Sequence, residues 1–284
     1  MPALPENAPG PLGIVAGGGR LPIRVAEAAR GAGRPVFVVG LRGMADEAEV
    51  ARFPHDWIGI GEIGRLLKLL RQNGCRDMVL AGAVSRPNFR ELRLDFGALT
   101  RLPDVLRVLR GGDDNVLSGV VRFFESQGLR VLGAHEVSAE LTAPPGSMTR
   151  AQPSAADRTD IELGLRAARA VGALDIGQAV VAADERVVAV EAAEGTDGML
   201  RRVAMLRAEG RLRLRGRRGV LVKCAKPQQD LRVDMPTVGA TTVELAAAAG
   251  LAGIAVEAGR TLLPERDETV AAAERHGLFM VGVA

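Results

Sequence analysis

Short apolar runs that alternate with helix-length segments constrain this chain more than any other feature. Residues 12–16, 35–39, 77–81 and 129–132 read as strands, and residues 21–30, 63–72, 99–109 and 115–127 carry helical spacing between them. Strands alternating with helices build a parallel sheet with helices on both faces. Pro22 suits the first turn of the first helix, where a missing N–H leaves nothing unsatisfied, and Gly33 ends that helix.

The pattern breaks over residues 141–153, where Ala143-Pro144-Pro145-Gly146 sits in a polar, Ser/Thr-containing stretch. This reads as a linker, with a boundary near residues 140–155 and domains over 1–145 and 146–284. The second half has helices at 160–171, 197–208, 241–249 and 265–276 and strands at 178–182, 187–190, 220–223, 254–257 and 278–281. Ala183-Asp184-Glu185-Arg186 has hairpin-like spacing between two of those strands. Residues 212–215 pair or loop, and no internal repeat is visible. The expected architecture is α/β throughout: a parallel-sheet N-terminal domain and a mixed α/β C-terminal domain.

With 284 residues and 47% apolar content, the chain has ample material for two cores. Cys75 and Cys224 form neither a disulfide framework nor a zinc spacing, which points to a reducing cytosol. No apolar run reaches the roughly 20 residues that span a bilayer. Residues 1–11 lack the charged and apolar regions of a signal peptide, so the expected location is cytoplasmic. Aromatic content is 3% with no tyrosine, which argues against stacking platforms for nucleic acid.

The densest chemistry lies in Lys223-Cys224-Ala225-Lys226-Pro227-Gln228-Gln229-Asp230-Leu231-Arg232-Val233-Asp234-Met235-Pro236, delivered by the apolar run before it. Three cations, two carboxylates and two carboxamides at the end of a buried strand suit a phosphate ester with a divalent metal. Carboxylates hold Mg²⁺, and Lys and Arg hold phosphate oxygens. The plainer reading is a solvated loop with local ion pairs. In an extended segment Asp230, Arg232 and Asp234 share one face, with Leu231, Val233 and Met235 on the other. Cys224 reads as a small buried residue.

Gly17-Gly18-Gly19-Arg20 after the first strand has the form of a phosphate-binding turn, in which glycine amides approach an anion at a helix N-terminus. It is neither GxGxxG nor a Walker A loop, and a tight turn is the plainer reading. Glu191, Glu194, Thr196 and Asp197 form a second polar concentration, with Thr196 as an N-cap, and Gln178 opens a strand near it. Gly111 to Asn115 reads as a loop and helix cap. His55, His135 and His276 are isolated. Arg201, Arg202, Arg207, Arg211, Arg213, Arg215, Arg217 and Arg218 make a basic tract, either a solvated face or one drawn to an anionic membrane surface.

Four motifs in order resemble the LpxI family: Leu12 to Pro22, Leu174 to Val181, Glu191 to Asp197, and Lys223 to Gly239. The resemblance runs from about residue 12 to the C-terminus. Its members are UDP-2,3-diacylglucosamine pyrophosphatases of lipid A biosynthesis. It implies a Rossmann-like N-terminal domain, a C-terminal domain of unusual fold and a lipid substrate between them. It also implies Mg²⁺-dependent attack of water on the α-phosphorus, giving UMP and 2,3-diacylglucosamine 1-phosphate (lipid X). By motif, Asp230 is the metal-linked catalytic carboxylate and Asp234 the second. Lys223, Lys226 and Arg232 hold the diphosphate, and Gln229 orients it. Gly17, Gly18, Gly19 and Arg20 line the N-terminal wall. Gln178, Glu191, Thr196 and Asp197 support the other wall. The resemblance further implies a homodimer and transient contact with the inner-membrane surface, without nucleic acid. Ala240 departs from the family, which often carries proline there; the change loosens a turn and removes no polar group. Two rivals are a nicotinamide-dependent oxidoreductase, disfavoured by the missing GxGxxG, and a non-catalytic nucleotide or lipid carrier.

Overall fold

A computed structural model describes residues 10–84 and 113–284, with side chains from residue 117 onward in the second stretch. The expected helix over 99–109 and the Gly111-Gly112 turn lie outside the described residues. The chain divides into two compact units, Met1–Ser138 and Ala139–Ala284.

In the first unit, β1 (Leu12–Ala16), β2 (Val36–Leu41), β3 (His55–Ile58), β4 (Asp77–Ala81) and β5 (Arg130–Leu132) form one sheet in the order β3-β2-β1-β4-β5. Every pairing is parallel. The connecting helices are α1 (Leu21–Gly31), α2 (Glu47–Val50), α3 (Ile63–Gln72) and α4 (Asp113–Ser126), followed by the short α5 (Ala134–Val137). This is the Rossmann-like arrangement, and the chain reverses direction of travel between β1 and β4, where such sheets open a crevice. The sequence misses β3 because only Ile58 of its four residues is buried, so it carries no apolar run. It misses α2 because that helix is a single turn, capped by the Asp46 carboxylate, which accepts from the Ala48 and Glu49 amides at 3.0 and 3.1 Å.

The buried carboxylate of Asp77 ties the strand starts together. Arg34 Nη2 donates to it at 2.5 Å, and Arg130 donates through Nε and Nη2, each at 2.8 Å. Burial pushes this carboxyl up, and the hydrogen bonds from Arg130 and Arg34 outweigh burial and hold it below the usual range.

The second unit is a six-stranded mixed sheet in the order β6-β11-β10-β9-β7-β8. Its strands are β6 (Gly146–Ser147), β7 (Ala179–Ala183), β8 (Arg186–Val190), β9 (Val220–Lys223), β10 (Gly253–Glu257) and β11 (Phe279–Val283). β9, β10 and β11 run parallel, β6 and β7 pair antiparallel with β11 and β9, and β8 pairs antiparallel with β7. Four helices complete it: α6 (Ala155–Ala173), α7 (Gly195–Ala208), α8 (Ala240–Ala248) and α9 (Arg266–His276). One face packs Val180, Val220, Val222, Cys224 and Ala255 around Ile161 and Ala168 of α6. The other packs Val181, Leu221, Ile254 and Met280 around residues of α7, α8 and α9. Gly164 of α6 is required by that packing, since a Cβ there would meet Val222 Cγ2 at 2.4 Å. Ala240 is the first residue of α8, a position where proline would be tolerated.

Residues 141–153, expected as a linker, are built into this second unit. β6 pairs with β11, the Ala143 amide donates to the Thr261 carbonyl at 2.8 Å, and Met148 donates to Met280 at 2.9 Å. The prolines suggested a free segment, but the polar backbone around them is satisfied by the sheet.

The hairpin between β7 and β8 turns on Asp184 (φ 50°) and Glu185 (φ 58°), the positive-φ pair of a type I′ turn without its usual glycine. Asp160 of α6 supplies the compensation: its carboxylate accepts the Asp184 and Glu185 amides at 3.2 and 2.8 Å. Glu185 is exposed, so its left-handed backbone can be relieved without loss of packing. Glu185→Gly is expected to stabilise the chain by about 1 kcal/mol, read as a raised midpoint in urea.

Candidate functional site

Lys223 is the last residue of β9, at the C-terminal edge of the parallel strands, and it is 6% exposed. Strand alternation turns its side chain to the face covered by α7. There Nζ donates to Thr196 Oγ1 and to the Thr237 carbonyl, both at 3.0 Å. The Thr196 hydroxyl donates onward to Glu191 Oε1 at 2.9 Å. Glu191 Oε2 accepts the Gln178 amide at 3.1 Å. An ammonium, a hydroxyl and a carboxylate thus form a buried chain in which each donor has a defined acceptor. Burial lowers the Lys223 pKa from its ordinary 10.5, against the pull of Glu191, Asp197 and Asp234.

This arrangement corrects one expectation. Thr196 is not the N-cap of its helix; α7 starts at Gly195 with Glu194 as its cap residue. The hydroxyl is turned inward to Glu191 and Lys223. Sequence reasoning favoured the cap because Thr before an acidic residue satisfies exposed amides in many helices.

The loop after Lys223 is folded on itself. Gln229 is buried, and its Oε1 accepts the Lys226 amide at 3.0 Å. Its Nε2 donates to Asp234 Oδ2 at 2.6 Å and lies 3.5 Å from Gln178 Oε1. Asp230 opens a turn in which its carbonyl accepts the Val233 and Asp234 amides at 3.1 and 3.0 Å. Arg232 then folds back: Nε and Nη2 donate to Asp230 Oδ1 and Oδ2 at 2.9 and 2.8 Å, a two-pronged pair. The segment is therefore a turn and not extended, and the expected division into polar and apolar faces does not occur. Leu231, Val233 and Met235 are half-buried, as are Asp230, Arg232 and Asp234. Pro227 and Pro236 bound the segment against a longer helix, and the Asp230 side-chain hydrogen bonds favour a turn over an extended strand.

Three supports of the loop escaped the sequence. Glu257, buried at the end of β10, accepts the Ala225 amide at 3.1 Å and lies 3.6 and 3.7 Å from Arg169 and Arg260. Asp175 pairs with Lys226 at 2.5 Å. The Gly172 carbonyl accepts from Gln228 Nε2 at 2.9 Å. Their partners lie 32 to 56 positions away along the chain, so local spacing carried no signal. Cys224 is buried as expected, and burial pushes its thiol up to about 11, which leaves it no thiolate role at neutral pH.

In the first unit, Gly17 and Gly18 follow β1 at the point where the sheet order reverses. Their amides donate to the Ala81 and Ala83 carbonyls, each at 2.8 Å, and the Ala83 amide returns a bond to the Gly18 carbonyl. A Cβ on Gly17 would sit 2.6 Å from the Ala83 carbonyl oxygen, so glycine is needed for this close approach. The Gly17 and Gly18 amides thus hold a neighbouring loop, as in the tight turn that is the plainer reading of this segment. Arg20 pairs with Glu49 at 2.7 Å.

Much of the basic tract serves the fold. Arg207 donates to the Gly250, Leu214 and Gly216 carbonyls, and Arg202 and Arg218 pair with Glu194 and Asp184. Arg211, Arg213 and Arg215 lie in the loop leading into β9, at the end of that strand opposite Lys223. Among the described residues no helix is long and apolar enough to cross a membrane, and no group of three or more His, Cys, Asp or Glu side chains could hold a metal ion.

The chain matches the LpxI N-terminal domain over residues 11–141 and the LpxI C-terminal domain over residues 144–281. It is 47% identical over 272 residues to the UDP-2,3-diacylglucosamine pyrophosphatase LpxI of Caulobacter vibrioides, covering 96% of this chain and 97% of that protein.

The buried lysine has a signature in the pH dependence of stability. Its folded pKa lies below its unfolded value, so the unfolded chain binds the extra proton, and stability rises as pH climbs toward 10.5. Lys223→Met removes this contribution. In urea titrations the wild type is expected to gain on the variant as pH rises from 7 toward that value, and a constant difference would show that Lys223 has an ordinary pKa.

Proposed function

The chain belongs to the LpxI family, and on that premise we propose that it hydrolyses UDP-2,3-diacylglucosamine in lipid A biosynthesis. Water oxygen bonds to the α-phosphorus, and the bond from that phosphorus to the bridging oxygen breaks. The products are UMP and 2,3-diacylglucosamine 1-phosphate, with the bridging oxygen leaving on the lipid phosphate.

The observation that supports this most is the buried Lys223 chain beside a loop that carries Lys226, Arg232, Asp230 and Asp234. A diphosphate needs cations to offset the charge on its oxygens, and in this reading Lys223, Lys226 and Arg232 supply them. Arg232 is held by Asp230 at rest. A phosphate oxygen competes for the guanidinium and so releases the carboxylate at the moment substrate is present. Gln229 holds the loop in register by bridging Lys226 and Asp234. Gln178, Glu191, Thr196 and Asp197 keep Lys223 oriented and electrostatically balanced.

Mg²⁺ is part of this proposal. Asp230 and Asp234 offer hard carboxylate oxygens, and among the described residues no group of three or more His, Cys, Asp or Glu side chains forms a closed protein cage. That set fits Mg²⁺, which takes one or two carboxylates and fills its remaining positions with water and phosphate oxygens. Asp230 and Asp234 would hold it. Bound there, the ion supplies Lewis-acid stabilisation of charge on the diphosphate. Because the substrate carries two acyl chains, the reading includes transient contact with the cytoplasmic side of the inner membrane. It also includes a homodimer.

Asp230→Ala is expected to lower turnover of UDP-2,3-diacylglucosamine by about 10³-fold while substrate still binds, within the range for loss of one group acting on the transition state. Hydrolysis by the intact chain in ¹⁸O-water, with Mg²⁺ and then with chelator, checks the reaction. Metal-dependent release of labelled UMP supports attack at the α-phosphorus. Label in the lipid phosphate would overturn the site of attack. Absence of turnover would favour a carrier.

A further inference from the structure

Asp175 has a left-handed backbone, φ 55°, just beyond the end of α6. The helix finishes in a complete Schellman motif: the Asp175 amide donates to the Gly172 carbonyl at 3.0 Å and the Ile176 amide to the Val171 carbonyl at 3.1 Å. That motif puts the residue just past the helix C-cap, here Asp175, in a conformation where glycine is the usual residue. Among the described residues, the other non-glycine residues with positive φ are Asp184 and Glu185. Their strain is explained by Asp160, which accepts both of their amides. At Asp175 the Schellman bonds hold the backbone, and the carboxylate takes no part in them. Instead Oδ1 reaches across the chain to Lys226 Nζ at 2.5 Å.

We propose that Asp175 is a positioning residue for Lys226, standing at a site that favours glycine and aiming that ammonium. The inference rests on the reading of Lys226 as a ligand of the diphosphate. Two further contacts locate the same grip. Gln228 donates to the Gly172 carbonyl, and Gly172 lies so close to Lys226 that a Cβ would be 3.3 Å from the lysine Cα. The C-terminal end of a helix also carries partial negative charge, which favours the ammonium beside it. The end of α6 therefore fixes the backbone at the start of the loop, and Asp175 fixes the charge. Lys226 has 12% of its side chain exposed, so its ammonium has little freedom to find phosphate by itself.

The strain makes the role separable from stability. Asp175→Gly relieves the backbone and removes the carboxylate, and Asp175→Asn removes the charge while keeping a residue that tolerates this conformation. A purely structural residue predicts that these variants change the melting temperature and the active fraction, which alters kcat and leaves KM alone. A positioning residue for a ground-state phosphate ligand predicts the reverse. We expect KM for UDP-2,3-diacylglucosamine and Kd for UDP to rise about tenfold in both variants, with kcat within about threefold and the melting temperature of Asp175→Gly unchanged or higher.

UDP titration by calorimetry keeps this test apart from the reaction itself. A wild-type chain that binds UDP but does not turn over the lipid would sink the hydrolase reading and leave Asp175 testable. In the Lys226→Met background, Asp175→Gly is expected to add no further loss of UDP affinity, since its effect passes through the lysine. Additive losses, an unchanged Kd in both single variants, or no UDP binding by the wild type would each overturn the inference.

Discussion

A cation taken out of water must find oxygen partners, and the second unit is organised around that demand at Lys223. The strand that carries it is buried on both faces, so the side chain cannot retreat to solvent. Thr196 and Glu191 come from a helix start and a strand exit five residues apart, and the Thr237 carbonyl from a distant loop, each placed by its own element. Losing Thr196 or Glu191 leaves one hydrogen-bonding position of a buried polar group unsatisfied, the costly half of the hydrogen-bond balance. The same need fixes the path of the chain on both sides of the sheet edge.

From that edge outward, rigidity is handed to the loop 224–236 by three different elements. Glu257 at the end of β10 holds its first amide, the end of α6 holds Lys226 and Gln228, and Gln178 before β7 is near Gln229. Polar segments at a sheet edge are usually the most mobile part of an α/β unit. Here the backbone is tied at successive residues, while the Asp230–Arg232 pair stays partly exposed and, on the proposed function, exchanges partners with the substrate. A stiff frame around a few exchangeable ion pairs is what preorganisation requires.

Long apolar periodicity made most of the fold legible. β1, α3, β4 and β9 occupy the expected residues because their burial patterns are the sequence patterns. β3 and α2 stayed hidden, one too polar and the other too short to have a period. The residues gathered around Lys223 were visible as types, but the contacts among them were not. Thr196 read as a cap because its partner Lys223 is 27 positions away, and the alternation at Asp230 misled because Arg232 bonds two residues back. Glu257 and Asp175 are not among the expected site residues. Each is tied to the loop by tertiary contacts that leave no mark in local spacing.

The strand order of the second unit has a consequence for synthesis on the ribosome. β11 holds residues 279–283, yet it lies inside the sheet, between β10 and β6. Until those residues have emerged, β10 presents an unpaired edge and β6 has nothing to pair with. The first unit, whose strands end at residue 132, faces no such wait. Vectorial folding would therefore be lopsided, with an early finished half and a late one whose exposed edge must be kept from other chains.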